Sequence, residues 1–149
     1  MTRQLDDDLH ARIVALFQEG EAYADEENYN AALERYQAAM LLLPLPFEDW
    51  EASTLILTAI ADAHFFMGDF ERARTALQDA MHCPGAIGNP YLHLRLGETQ
   101  FELGNTDRAK DELARAYMGG GPEVFEDDDP KYLRFIMEIL RPAANEVGE

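Results

Sequence analysis

The sequence predicts an all-α fold made of repeated helix-turn-helix pairs, and two observations predict it. Three segments superimpose with the same internal spacing, and start and stop residues flank most of the implied helices. The first segment runs Leu16, Gly20, Tyr23, Tyr29, Ala32, Tyr36, Ala39, Pro44. The second runs Leu57, Ala61, His64, Gly68, Phe70, Ala73, Leu77, Ala80, Pro84, and the third runs His93, Gly97, Gly104, Ala109, Leu113, Ala116, Pro122. Small residues recur where two helices must cross closely, and aromatic residues or Leu fill the space between them. A repeat of this kind buries its apolar face only by stacking on its neighbours.

Seven helices are expected, at about 8–26, 28–42, 50–67, 69–82, 90–103, 105–117 and 130–141. Asn89-Pro90 and Asp129-Pro130 each set an N-cap residue before a proline at the first helical position. Asp6–Asp8 and Glu126–Asp129 both precede helices, where the helix dipole favours negative charge. Pro142 is expected to end the last helix, and Gly119-Gly120-Gly121-Pro122 reads as a flexible joint. The helix of residues 130–141 carries Tyr132, Phe135, Ile136, Ile139 and Leu140 at helical spacing. That stripe suits a cap over the open end of the third repeat, or a contact with a second copy in a homodimer.

The motif Gly68-Asp69-Phe70-Glu71-Arg72-Ala73 and its counterpart Gly104-Asn105-Thr106-Asp107-Arg108-Ala109 resemble the interhelical turn of the tetratricopeptide repeat (TPR). The resemblance covers about residues 10–122. It implies a single domain over residues 1–149, with repeats at about 13–46, 54–87 and 90–122 and a capping helix at about 130–141. The fold it implies is three TPRs in a short right-handed superhelix. Departures are visible. The first turn has Glu27-Asn28 where Gly-Asp is usual, His64 replaces an aromatic, and the repeats start about 41 and then 36 residues apart rather than about 34.

Composition narrows the function. The 149 residues carry 12 Lys and Arg against 29 Asp and Glu, a net charge of −17. Such a polyanion repels nucleic-acid phosphates and anionic lipid, which disfavours both as partners and favours a basic protein or peptide. The apolar run from Met40 to Phe47 is too short to span a bilayer. One cysteine, Cys83, excludes an internal disulfide, and a first stretch carrying Asp6, Asp7 and Asp8 is no secretory signal. A cytoplasmic protein is expected.

Chemistry is hard to find. Ser53, the sole serine, lacks a nucleophile-elbow setting, and Cys83 beside His82 has no geometric partner. Adjacent His82 and Cys83 chelate zinc poorly, and the acidic run 126–129 lacks the glycine of a calcium loop. His64 and His93 fall at packing positions. No catalytic residue, metal site or cofactor is assigned, and the enzyme reading is weak.

If the resemblance holds, the first helix of each pair lines a concave face. The positions it assigns to a partner are Phe17, Glu21, Asp25, Thr58, Asp62, Phe65, Phe66, Tyr91, Leu94, Glu98, Phe101 and Glu102, with Val14 and Leu55 on the same faces. Phe65 and Phe66 are adjacent, so both cannot point into the groove. Arg12 and Arg95 are the basic residues of the three inner helices, whereas Arg35, Arg72, Arg74, Arg108, Lys110 and Arg115 lie on the outer ones. TPR domains that hold the acidic tail of heat-shock chaperones resemble one another in a clamp of Lys, Arg and Asn, and that clamp is missing here. Size, acidity and stretches such as Trp50–Ser53 and Gly88–Gly97 resemble small stand-alone bacterial TPR proteins found beside polymorphic toxins, which implies an immunity or accessory role. A type III secretion-type chaperone for a secreted protein is the alternative, resembled in architecture.

Overall fold

Turn chemistry decides where each helix begins. The computed structural model describes residues 4–147, with side chains described for residues 4–140. Helix α1 (Asp7–Asp25) opens with Asp7 and Asp8 in its first turn, where the dipole is stabilised by carboxylates. Helix α2 (Tyr29–Leu42) is capped by Asn28, whose side-chain oxygen accepts from the Ala31 N–H. Helix α3 (Glu51–Phe66) is followed by α4 (Phe70–Ala80), capped in the same way by Asp69 on the Arg72 N–H. Helix α5 (Pro90–Glu102) carries proline in its first turn behind the cap Asn89. Helices α6 (Thr106–Gly120) and α7 (Pro130–Val147) complete the series. Short 3-10 turns lie at Phe47–Asp49 and Pro122–Phe125, and no strand occurs among the described residues.

Two expectations at helix ends are corrected. Helix α7 continues past Pro142, although an interior proline removes one backbone hydrogen bond and crowds the carbonyl four residues back. The triple glycine is no flexible joint. Gly119 and Gly120 belong to α6, and a Cβ on either would lie 3.1 or 3.0 Å from the Pro90 side chain. They are small because the start of α5 packs against them. Only Gly121, at φ +71°, turns the chain toward the next segment.

Each helix pair is closed by the same device. A Cβ on Gly20 would lie 2.4 Å from the Tyr36 ring, and one on Gly97 would lie 2.7 Å from Leu113. Ala61, opposite Leu77 in the register of the middle pair, is fully buried, as is Leu77. Ala32, Ala73 and Ala109 are fully buried too, and so are Ala39, Ala80 and Ala116. Matched positions thus share one environment in all three pairs, which is what a repeat requires.

The helices group into two compact units, Met1–Ile87 and Gly88–Glu149. In the first, α1 packs on α2, α2 on α3 and α3 on α4. The connection from α2 to α3 is tied down. Trp50 is buried and donates its indole N–H to the Pro44 carbonyl at 2.6 Å, Ser53 donates its hydroxyl to the Phe47 carbonyl, and the Leu45–Pro46 peptide is cis. In the second unit α5 packs on α6, and the turn at Pro122–Phe125 and α7 follow. Every residue from Leu92 to Gln100 is buried, an all-round burial that one neighbouring helix cannot provide.

Candidate functional site

In the first unit, α1 and α3 face one another across a cavity of about 910 Å³. Ile13, Val14 and Phe17 line it from α1, while Trp50, Leu55 and Ile56 line it from the other side. The spacing i, i+4 puts Ile13 and Phe17 on one face of α1. Trp50 forms part of the wall because its carbonyl-anchored indole fixes the entry to α3. Leu55 is 58% exposed, an apolar side chain left facing solvent at this opening. Asp7, His10 and Glu51 contribute polar groups to the lining.

One or two turns further along the same two helices the chemistry changes. Tyr36 donates its hydroxyl to Glu21. Burial raises the Tyr36 pKa first, then the hydrogen bond and charge of Glu21, then the charges of Asp62 and Asp25. Glu21 of α1 thus lies against the phenol, and the charges of Asp62 on α3 and Asp25 on α1 are felt there. Phe17 links the two regions, since it lines the cavity and lies 5.6 Å from the Tyr36 ring. The face therefore has apolar walls with Asp7 and Glu51 among them at the N-terminal ends of α1 and α3, and Glu21, Asp25 and Asp62 toward their C-terminal ends.

The remaining expected residues of this unit have defined surroundings. Phe66 is 55% exposed and stacks on Tyr29, and Phe65 meets Phe66 and Phe70 edge-on. Thr58 spends its hydroxyl on the Thr54 carbonyl at 2.6 Å. Arg35 pairs with Glu19 at 3.1 Å and lies over the Tyr23 ring.

The second unit departs from expectation. Leu94 and Glu98 are interior residues, 1% and 0% exposed, so neither presents a partner-binding surface. Phe101 packs against Tyr132 and Phe135 of α7 at 5.4 and 5.1 Å, and Glu102 pairs with Lys131 at 3.0 Å. For Glu98, Phe101 and Glu102 the physical reason is that the acidic segment and the start of α7 lie against the C-terminal half of α5. Tyr91 is the more open residue here, with its hydroxyl accepting from Arg95 at 3.3 Å.

Asp128 was missed. The run 126–129 read as charge at a helix start, and Asp129 does cap α7 by accepting from the Lys131 N–H at 3.0 Å. Asp128 instead turns inward, 3.7 Å from Arg95, which also holds Glu98 at 2.8 Å. Nothing in a run of like residues marks which of them turns in.

His64 and His93 are buried. His93 Nε2 accepts from the Gly88 N–H at 3.0 Å, so the ring proton lies on Nδ1, 2.6 Å from Glu112. His64 has its pKa lowered by burial above all, and its Nδ1 has no hydrogen-bond partner among the described residues. Cys83 is buried, and burial followed by Glu48 and Asp79 pushes its thiol up to about 11. That is the reverse of what a nucleophile needs. Among the described residues no group of three His, Cys, Asp or Glu side chains is placed to hold a metal, and no helix is long and apolar enough to cross a membrane.

The family model for the tetratricopeptide repeat matches residues 91–117. The fold is a TPR-type helical repeat. The first TPR of Spaghetti (RPAP3), solved with the HSP90 peptide SRMEEVD, is 19% identical, with a TM-score of 0.65 over 90% of this chain and 94% of that one. PcrH from Pseudomonas aeruginosa is 16% identical, with a TM-score of 0.62 over 93% of this chain and 91% of that chain. PcrH in complex with the chaperone binding region of PopB is 15% identical, with a TM-score of 0.61 over 91% and 95%. No curated protein sequence matches. The TPR likeness is one of fold, and these TPR structures include two captured with a peptide or a protein segment.

Proposed function

We propose that this protein is a non-enzymatic interaction module whose α1–α3 face binds a basic segment of a protein partner. One observation carries the reading: the same two helices present an apolar cavity and, beyond it, Glu21, Asp25 and Asp62 around Tyr36. The cavity volume falls within the range of about 300–1,000 Å³ typical of ligand sites. It is large enough for apolar side chains of a peptide, and the carboxylates suit a Lys or Arg further along the same peptide. An acidic tail such as SRMEEVD, which the Spaghetti TPR holds, is the wrong charge for this face.

The biological role that fits best is toxin immunity or an accessory function, with a basic protein as client. Chaperoning of a secreted protein is the second reading, favoured by the fold shared with PcrH and its PopB segment. Co-expression with the neighbouring gene product separates them. Rescue from toxicity supports immunity, and solubilisation of a secreted protein supports chaperoning.

The binding mode is tested with two fluorescent peptides, one amphipathic and Lys-rich, the other SRMEEVD. The basic peptide is expected to bind and the acidic one to fail. Reversal of Glu21, Asp25 and Asp62 to Lys is expected to weaken basic-peptide binding by about 1 kcal/mol per site at low salt. Unchanged affinity after all three reversals sinks the proposal.

A further inference from the structure

The second unit carries a pair of acids, Glu98 fully buried and Asp128 partly so, that the binding proposal does not use. Glu98 is fully buried on α5, and Asp128 comes in from the segment leading into α7 to the Arg95 that Glu98 also holds. Both reach the same guanidinium nitrogen, Nη1 of Arg95, at 2.8 and 3.7 Å. Oε2 of Glu98 and Oδ2 of Asp128 have no hydrogen-bond partner among the described residues, since 3.7 Å from Nη1 is too long for one. An ionised carboxylate offers acceptors alone, and two of them facing each other out of water are repelled and desolvated together. A single proton between them removes both penalties, turning one acid into a donor to the other.

We infer that Glu98 and Asp128 share one proton in a latch that holds the start of α7 over α5, and that the latch opens with release of that proton. Around the latch lie Arg95 and Glu102 on α5, Asp129 before α7, and Lys131 and Tyr132 on α7. The Lys131–Glu102 pair and the contacts of Phe101 with Tyr132 and Phe135 belong to the same closure. Burial foremost, and then the hydrogen bond to Asp128, pushes Glu98 up to about 9 against the pull of Arg95.

The sign follows from linkage. Glu98 keeps its proton in the closed form, and in the open form, exposed to water, it ionises near the ordinary value of 4.5. Opening therefore converts Glu98 from COOH to COO⁻ and delivers H⁺ to solvent. The opening equilibrium rises about tenfold per pH unit between those two pKa values and is flat outside them. Acid tightens the latch and mild alkali loosens it, uncovering Phe101 and Glu102.

Amide hydrogen exchange of residues 131–140 in the full chain, corrected for intrinsic rates, reads this directly. Between pH 6 and 8 the protection of these amides is expected to fall about a hundredfold. In Glu98→Gln it stays level, because the amide donates to Asp128 and accepts from Arg95 at every pH. Equal slopes in the two proteins overturn the inference. If Glu98→Gln does not fold, carboxyl-carbon NMR of the unaltered protein decides. Titration of Glu98 above pH 7 supports the latch, and titration below pH 6 overturns it.

Discussion

At the scale of single residues, the turns between paired helices give the sharpest test. Gly68 and Gly104 adopt φ of +79° and +82°, and the first pair uses Glu27 at φ 61° for the same left-handed step. A side chain there crowds its own carbonyl by about 1–2 kcal/mol. Glu27→Gly is expected to raise stability by about 0.5–1 kcal/mol once the freer unfolded chain is counted. Urea denaturation measures it, and a loss of stability would mean the Glu27 side chain makes a contact worth more than the strain. This site was legible in the sequence, since Glu27-Asn28 broke the Gly-Asp pattern. Asp128 was not legible, because its inward turn depends on Arg95 and Glu98, thirty or more positions away, and four like residues in a row carry no phase.

At the scale of helices, boundaries could be read because capping is local. Asn28, Asp69, Asn89 and Asp129 each accept from a backbone N–H within three residues, and such short-range chemistry is written in adjacent letters. The glycines of α6 were misread for the opposite reason, as their neighbour Pro90 is distant in sequence. The crossing at Gly97 makes the same point testable. Alanine is the better helix former by about 1 kcal/mol. Yet a methyl there would meet Leu113 side-chain atoms at 2.7 Å and its backbone nitrogen at 3.0 Å, and backbone cannot rotate away. Gly97→Ala is expected to destabilise the protein by about 1–3 kcal/mol net. A thermal midpoint that holds or rises would show that α5 and α6 separate more easily than their packing implies.

At the scale of the whole molecule, charge and apolar surface act on different steps of recognition. On the proposed reading, a net charge of −17 would draw a cationic partner from a distance and could not by itself hold it, because salt screens exposed charges beyond about 10 Å at 0.1 M. The proposal assigns retention to the cavity between α1 and α3, which Leu55 and Val14 line with exposed apolar surface. The two contributions should separate in stopped-flow kinetics with the Lys-rich peptide. Raising ionic strength is expected to slow association while leaving dissociation nearly constant. Leu55→Ala is expected to do the reverse, speeding dissociation by about tenfold through lost burial of roughly 1–1.5 kcal/mol. The helix itself tolerates the change, since alanine favours α-helix and Leu55 contributes little to the core. If instead Leu55→Ala alters only association, or neither rate, the cavity is not where the partner is held, and the carboxylates around Tyr36 would have to account for binding alone.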